Sequence, residues 1–138
     1  MTKGRRREHF QWNADIIGQS GVSAEAEILL LLINACQEMG LTVAEFRIFL
    51  NDRRILNSIL EKIEVPPNLH DSVLVIMDKR DKVSPESFSE MLVESGMNTS
   101  QVEQLKEYLA IPELESLSKL LPDCEGITAL HELSELIN

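Results

Sequence analysis

The run Lys3-Gly4-Arg5-Arg6-Arg7-Glu8-His9-Phe10-Gln11-Trp12-Asn13-Ala14-Asp15 decides how this chain is read. As a β-strand, its side chains would alternate between two faces with a period of two residues. Arg5, Arg7, His9, Gln11, Asn13 and Asp15 would then share one face, and Phe10, Trp12, Ala14 and Ile16 the other. The apolar face suits a core. The opposite row of charges, donors and acceptors exceeds what a solvated strand requires, and suits a polar ligand.

The residue types narrow that ligand. Arg5 and Arg7 present planar donor forks that match phosphate oxygens and stay charged at any relevant pH. Gln11 offers donor and acceptor together, and Asp15 can accept from an ammonium group. A phosphate end and an amino end on one row describe an amino acid meeting a nucleotide. The plainer alternative is a basic surface cluster on a half-exposed strand.

The same residues carry a family resemblance. Residues 4–18, Gly-Arg-Arg-Arg-Glu-His-Phe-Gln-Trp-Asn-Ala-Asp-Ile-Ile-Gly, resemble the second half of motif two of histidyl-tRNA synthetases, a class II family. The likeness continues through Ala24-Glu25-Ala26-Glu27-Ile28 and through Phe46-Arg47-Ile48-Phe49-Leu50-Asn51-Asp52-Arg53-Arg54-Ile55-Leu56. A helical stretch similar to the family's insertion domain follows. The resemblance implies an α/β (α+β) fold: a partial antiparallel class II synthetase sheet with a buried helix, then a small all-helical insertion domain. The expected division is residues 1–63 for the partial catalytic core and 64–138 for the insertion domain.

By the same resemblance, Arg5 and Arg7 are the catalytic arginines, with Arg5 approaching the ATP phosphates. Gln11 and Asp15 match the positions that hold histidine, the carboxylate facing the amino group. His9 stands where the family has phenylalanine against adenine, so an imidazole would do the stacking. ATP with accompanying Mg2+ is the implied cofactor, and histidine and tRNA are the implied partners. The Phe-Arg-x-Glu-type strand, an Arg-Gly-Leu-x-Tyr-Tyr segment, motifs one and three, the histidine loop and an anticodon-binding domain have no counterpart here. Adenylate formation needs several charge stabilisers aimed together at the reacting phosphate. This polypeptide alone is therefore expected to be inactive.

Composition is that of a piece of a soluble enzyme. A chain of 138 residues with 43% hydrophobic content has material for one ordinary core. The longest apolar run, residues 28–33, is far short of the ~20 residues a spanning helix needs. No signal-peptide pattern is visible, so a cytoplasmic location and no membrane partner are expected. Cys36 and Cys124 form no Cys-x-x-Cys pair, and His9, His70 and His131 are scattered, so no protein-bound metal is indicated.

Charge divides the chain. Residues 1–63 hold eight acidic and eight basic side chains, whereas residues 64–138 hold fifteen and five, so the net charge of −10 belongs to the second half. A general nucleic-acid binder should show a basic face. In the family the insertion domain approaches the tRNA acceptor stem; here the only basic spot by sequence is Lys79, Arg80 and Lys82, flanked by Asp78 and Asp81.

Periodicity supplies the coarse fold. After the first strand and a turn at residues 18–21, Ser23 can cap a helix that runs to Met39 and stops at Gly40. Its apolar run on every side implies burial in a larger body. Residues 43–50 alternate, with Phe46, Ile48 and Leu50 on one face, and read as a second strand. Ile55, Leu56, Ile59, Leu60 and Ile63 have helical spacing, broken by Pro66-Pro67. Helices are then expected from Asn68, after the Ser84 cap with Pro85, after Thr99 or Ser100, between Pro112 and Pro122, and at the end of the chain.

Two strands make a marginal sheet, so unpaired edges and the Phe10, Trp12 and Ile16 face should seek partners. Self-association as a homo-oligomer, or association with missing synthetase segments, is expected. The leading expectation is a histidine–tRNA ligase fragment. A non-catalytic histidine-sensing or regulatory paralogue and a helical interaction module are the alternatives.

Overall fold

The computed structural model describes Glu8 and residues 10–137. Its helices are α1 (Val22–Glu38), α2 (Arg53–Lys62), α3 (Pro67–Met77), α4 (Pro85–Glu94), α5 (Thr99–Leu109), α6 (Leu114–Leu120) and α7 (Glu125–Ile137), with a 3-10 turn at Arg80–Lys82. Two compact units are distinguished: Met1–Ile48 with Glu132–Asn138, and Phe49–His131. Among the described residues no helix is long and apolar enough to cross a membrane.

The expected α/β fold is overturned, because no strand forms among the described residues. Residues 10–17 are irregular and exposed, with Ile17 93% exposed. Alternation specifies which faces a strand would have; it does not supply the neighbouring strand that must accept its hydrogen bonds. The second expected strand fails for a local reason. Thr42 donates to Glu45 Oε2 through both its backbone N–H (2.8 Å) and its hydroxyl (2.9 Å), closing a turn inside the alternating run. Those hydrogen bonds favour the ionised carboxylate, and the Glu45 pKa is lowered, first by the backbone bond and then by the hydroxyl.

The expected buried helix is also corrected. In α1 Ala26 is buried, but Leu30, Leu31 and Leu32 are each more than a third exposed. Gly21, with φ 96°, is the N-cap in place of Ser23. The C-terminus follows the glycine rule: Gly40 has φ 86°, its N–H donates to Gln37 O at 2.8 Å, and Leu41 N–H donates to Cys36 O at 3.0 Å. This is a Schellman motif.

The Phe49–His131 unit is a helical bundle in which α2 packs on α3 and α5, α3 on α4, and α4 on α5. Ile55, Leu56, Ile59 and Leu60 of α2 meet a core that includes Val73 of α3, Phe88 and Leu92 of α4, and Leu105 of α5. Leu60, Leu92 and Leu105 are fully buried. Caps mark the boundaries. Asp52 accepts from Arg54 N–H at α2, and Ser84 accepts from Ser87 N–H at α4 with Pro85 in the first turn. At α5 the cap is Asn98, one residue before the expected Thr99, in a reciprocal box with Gln101.

Two more Schellman motifs turn the chain. Gly96 closes α4 at φ 109°, with Met97 N–H donating to Leu92 O at 3.2 Å. Glu64 does the same for α2 at φ 57°, with Val65 N–H donating to Leu60 O at 2.9 Å. The α2 stop is thus set at Glu64, and Pro67 begins α3 instead of merely breaking α2. Gln101 Nε2 fixes this corner from α5, donating to Glu64 O at 2.8 Å.

Candidate functional site

Of the residues expected to form the ligand row, Arg5, Arg7 and His9 lie outside the described residues. Gln11 and Asp15 lie on the exposed irregular segment before α1. Gln11 Nε2 donates to Asn13 Oδ1 at 2.9 Å. These two amide side chains meet locally, two residues apart. Phe10 and Trp12, expected on the core face, are exposed like their neighbours. Among the described residues no group of three or more His, Cys, Asp and Glu is arranged to hold a metal ion.

One pocket near charged side chains lies in the Phe49–His131 unit. A pocket of about 240 Å³ opens between the 3-10 turn, the start of α4 and α5. Val83, Pro85, Phe88 and Leu109 form its apolar lining, and Arg80, Asp81 and Lys106 its charged rim. Arg80 Nη2 donates to Leu109 O at 3.5 Å, a long bond to the end of α5. Lys106 Nζ pairs with Glu103 Oε1 at 3.0 Å. Nearby, Glu86 has a lowered pKa, caused first by its own backbone N–H, then by the Ser84 hydroxyl, with the Lys106 charge adding to both.

The basic spot read from sequence ended at Lys82. Folding adds Lys106, which is separated by two helices' worth of chain and is brought to the Arg80 side by the packing of α4 on α5. The signal available in the sequence was the position of Lys106 three residues before Leu109, on the turn of α5 that Leu109 anchors.

A second charged contact is structural. Asp52 Oδ2 lies 2.7 Å from Arg54 Nη2, and Arg54 Nε donates to Asp52 Oδ1 at 3.0 Å. These bonds hold the Asp52 carboxyl below its usual pKa against the opposing effect of burial, and the Arg54 backbone N–H adds to them. The pair fixes the start of α2.

The comparisons with known proteins bear on the whole chain. The family model described as Histidyl-tRNA synthetase matches residues 1–138. A chloroplastic/mitochondrial histidine–tRNA ligase of Arabidopsis thaliana is 34% identical over 137 residues, covering 99% of this chain and 28% of that protein. A histidine–tRNA ligase of Haloarcula marismortui is 32% identical over 138 residues, covering 99% of this chain and 32% of the relative. One from Helicobacter hepaticus is 41% identical over 113 residues, covering 80% of this chain and 25% of the relative. The chain belongs to the histidyl-tRNA synthetase family, and it spans about a quarter to a third of the length of these curated relatives.

Proposed function

We propose that this chain is the part of a class II histidine–tRNA ligase that contributes histidine- and ATP-binding residues to ATP-dependent activation of histidine and its transfer to tRNA. The observation that carries this reading is the family match over residues 1–138, supported by relatives aligned over nearly the whole chain. These relatives are histidine–tRNA ligases by name and lend nothing to the regulatory-paralogue or interaction-module alternatives.

Within that reading, Gln11 and Asp15 hold the histidine substrate, with the Asp15 carboxylate against its ammonium group. Arg5 and Arg7 stabilise charge on the reacting phosphate, and His9 stacks on adenine with Arg5 nearby. ATP brings its own magnesium. The exposed position of Gln11 and Asp15 is compatible with ligand contact. The proposed division assigns residues 1–63 to the catalytic core and 64–138 to an insertion domain. A cytoplasmic location belongs to the same proposal.

Exposed Phe10, Trp12, Ile17, Leu31 and Val43 favour association, either between copies or with the remaining length of the synthetase. A tRNA contact by the acidic half would have to draw on Lys79, Arg80, Lys82, Lys106 and Lys119. The test is histidine-dependent exchange of pyrophosphate into ATP by the native polypeptide that carries this chain. Exchange that requires histidine supports the proposal; ATP exchange indifferent to histidine contradicts it.

A further inference from the structure

The pocket beside Arg80 has an apolar floor that none of the ligase roles uses. Phe88 is only 4% exposed yet lines the space, which puts an aromatic side chain at its base. Val83, Pro85 and Leu109 complete an apolar wall, so water in the pocket has few protein partners. Apolar pockets with a few convergent polar groups are the usual form of small-ligand sites. At about 240 Å³ this one admits a single ring or a branched chain.

The rim decides the sign of the ligand. Arg80 has no carboxylate partner among the described residues, and its one bond to a protein acceptor is the 3.5 Å contact to Leu109 O. A guanidinium has five donors, so most of its fork is available. Lys106 spends one of three donors on Glu103. Asp81 is the single acidic group of the lining, and Glu103 and Glu86 lie by Lys106, so Arg80 is the cation of the rim without a carboxylate partner among the described residues.

We propose that the pocket between the 3-10 turn, α4 and α5 binds a small organic anion with a compact apolar body. Its anionic end meets Arg80 and Lys106, and its ring or branched chain lies on Phe88, Val83 and Leu109. Binding here is independent of histidine activation and would persist if the ligase reading failed.

The experiment is an amide-resolved NMR titration of the full chain with phenylacetate. Acetate and 2-phenylethanol serve as the anion alone and the ring alone. Phenylacetate should give saturable shifts at residues 80–88 and 105–109, with both controls at least about tenfold weaker. Arg80→Gln and Lys106→Gln, both at exposed or half-exposed positions, should each weaken phenylacetate several-fold while leaving the remaining amide spectrum in place. Three results would each overturn the proposal: no saturable shift with phenylacetate, equal affinity for 2-phenylethanol, or unchanged affinity in both variants.

Discussion

Gly126 of α7 stands so close to Ile55 of α2 that a Cβ added to it would lie 2.9 Å from Ile55 Cγ1. The same atom would meet Asp52 Oδ1 at 3.0 Å and Arg54 Cβ at 3.1 Å. The absence of a side chain at Gly126 therefore lets the start of α7 pass close to the capped start of α2. Ile55 and Ile127 are both members of the bundle core.

Gly126→Ala tests this close approach. Alanine is the better helix former by ~1 kcal/mol, whereas overpacking a tight contact costs ~1–3 kcal/mol. The atoms met are side-chain atoms, but Arg54 Cβ and Ile55 Cγ1 sit next to the α2 backbone and have little room to yield, so the loss should exceed the gain. Urea unfolding followed by circular dichroism should show net destabilisation of ~1 kcal/mol; equal or greater stability would mean that the helices separate freely.

Glu64→Gly should act in the opposite direction. Glu64 occupies the left-handed region at φ 57°, while its carbonyl, which accepts from Gln101, belongs to the backbone and survives the change. A left-handed conformation costs a side-chain-bearing residue ~1–2 kcal/mol, and glycine's greater unfolded-state freedom returns ~0.5–1 kcal/mol of that. The expected outcome is a small rise in the thermal midpoint. A fall would show that the Glu64 side chain contributes something beyond its backbone.

Three helix ends share one motif, and they show how much of the fold was legible. Gly40 and Gly96 announce their stops, because glycine enters the left-handed region without strain. Glu64 announces nothing: its conformation follows from Val65 and Leu60 both being buried and from Gln101 arriving from α5. The helical spacing of Ile55, Leu56, Ile59 and Leu60, and the Ser84-Pro85 start, translate directly into α2 and α4. The strands do not, since a strand depends on partners that no local pattern contains. Thr42 and Glu45 were readable as a turn pair three residues apart, but the alternation around Phe46 and Ile48 obscured it. For the candidate site, Gln11 and Asp15 stand out by alternation and side-chain chemistry and take their histidine role from resemblance, whereas the Arg80 and Lys106 rim requires the packing of α4 and α5 to be seen.

Asp52 should make the start of α2 sensitive to acid. Its folded-state pKa is lowered, so the stability it confers is complete above the unfolded-state pKa and is lost as pH falls through the lower folded value. The Asp52 side chain is 16% exposed and its Arg54 partner 51%, so solvent screens part of the effect. Asp52→Ala should cost ~1 kcal/mol at neutral pH through loss of the cap. In stability measured across the acid range, the difference between the two proteins should shrink below the usual aspartate range; a constant difference would point to a cap that does not depend on charge.

The exposed apolar side chains of the first unit make a prediction about solution behaviour. Ile17, Leu31, Leu32, Met39 and Val43 all face solvent. Sedimentation velocity on the isolated chain should show mass that rises with concentration. A sharp monomer of 15.6 kDa across that range would remove association from the proposal.

The most direct test of the central claim is the Michaelis constant for histidine in the native polypeptide carrying this chain, compared with its Asp15→Asn variant. If Asp15 faces the histidine ammonium group, the constant should rise about 100-fold, since truncating a charge partner typically costs ~2–5 kcal/mol, while the constant for ATP changes little. An unchanged constant for histidine in a folded variant would contradict the assignment of the Gln11 and Asp15 segment to histidine recognition.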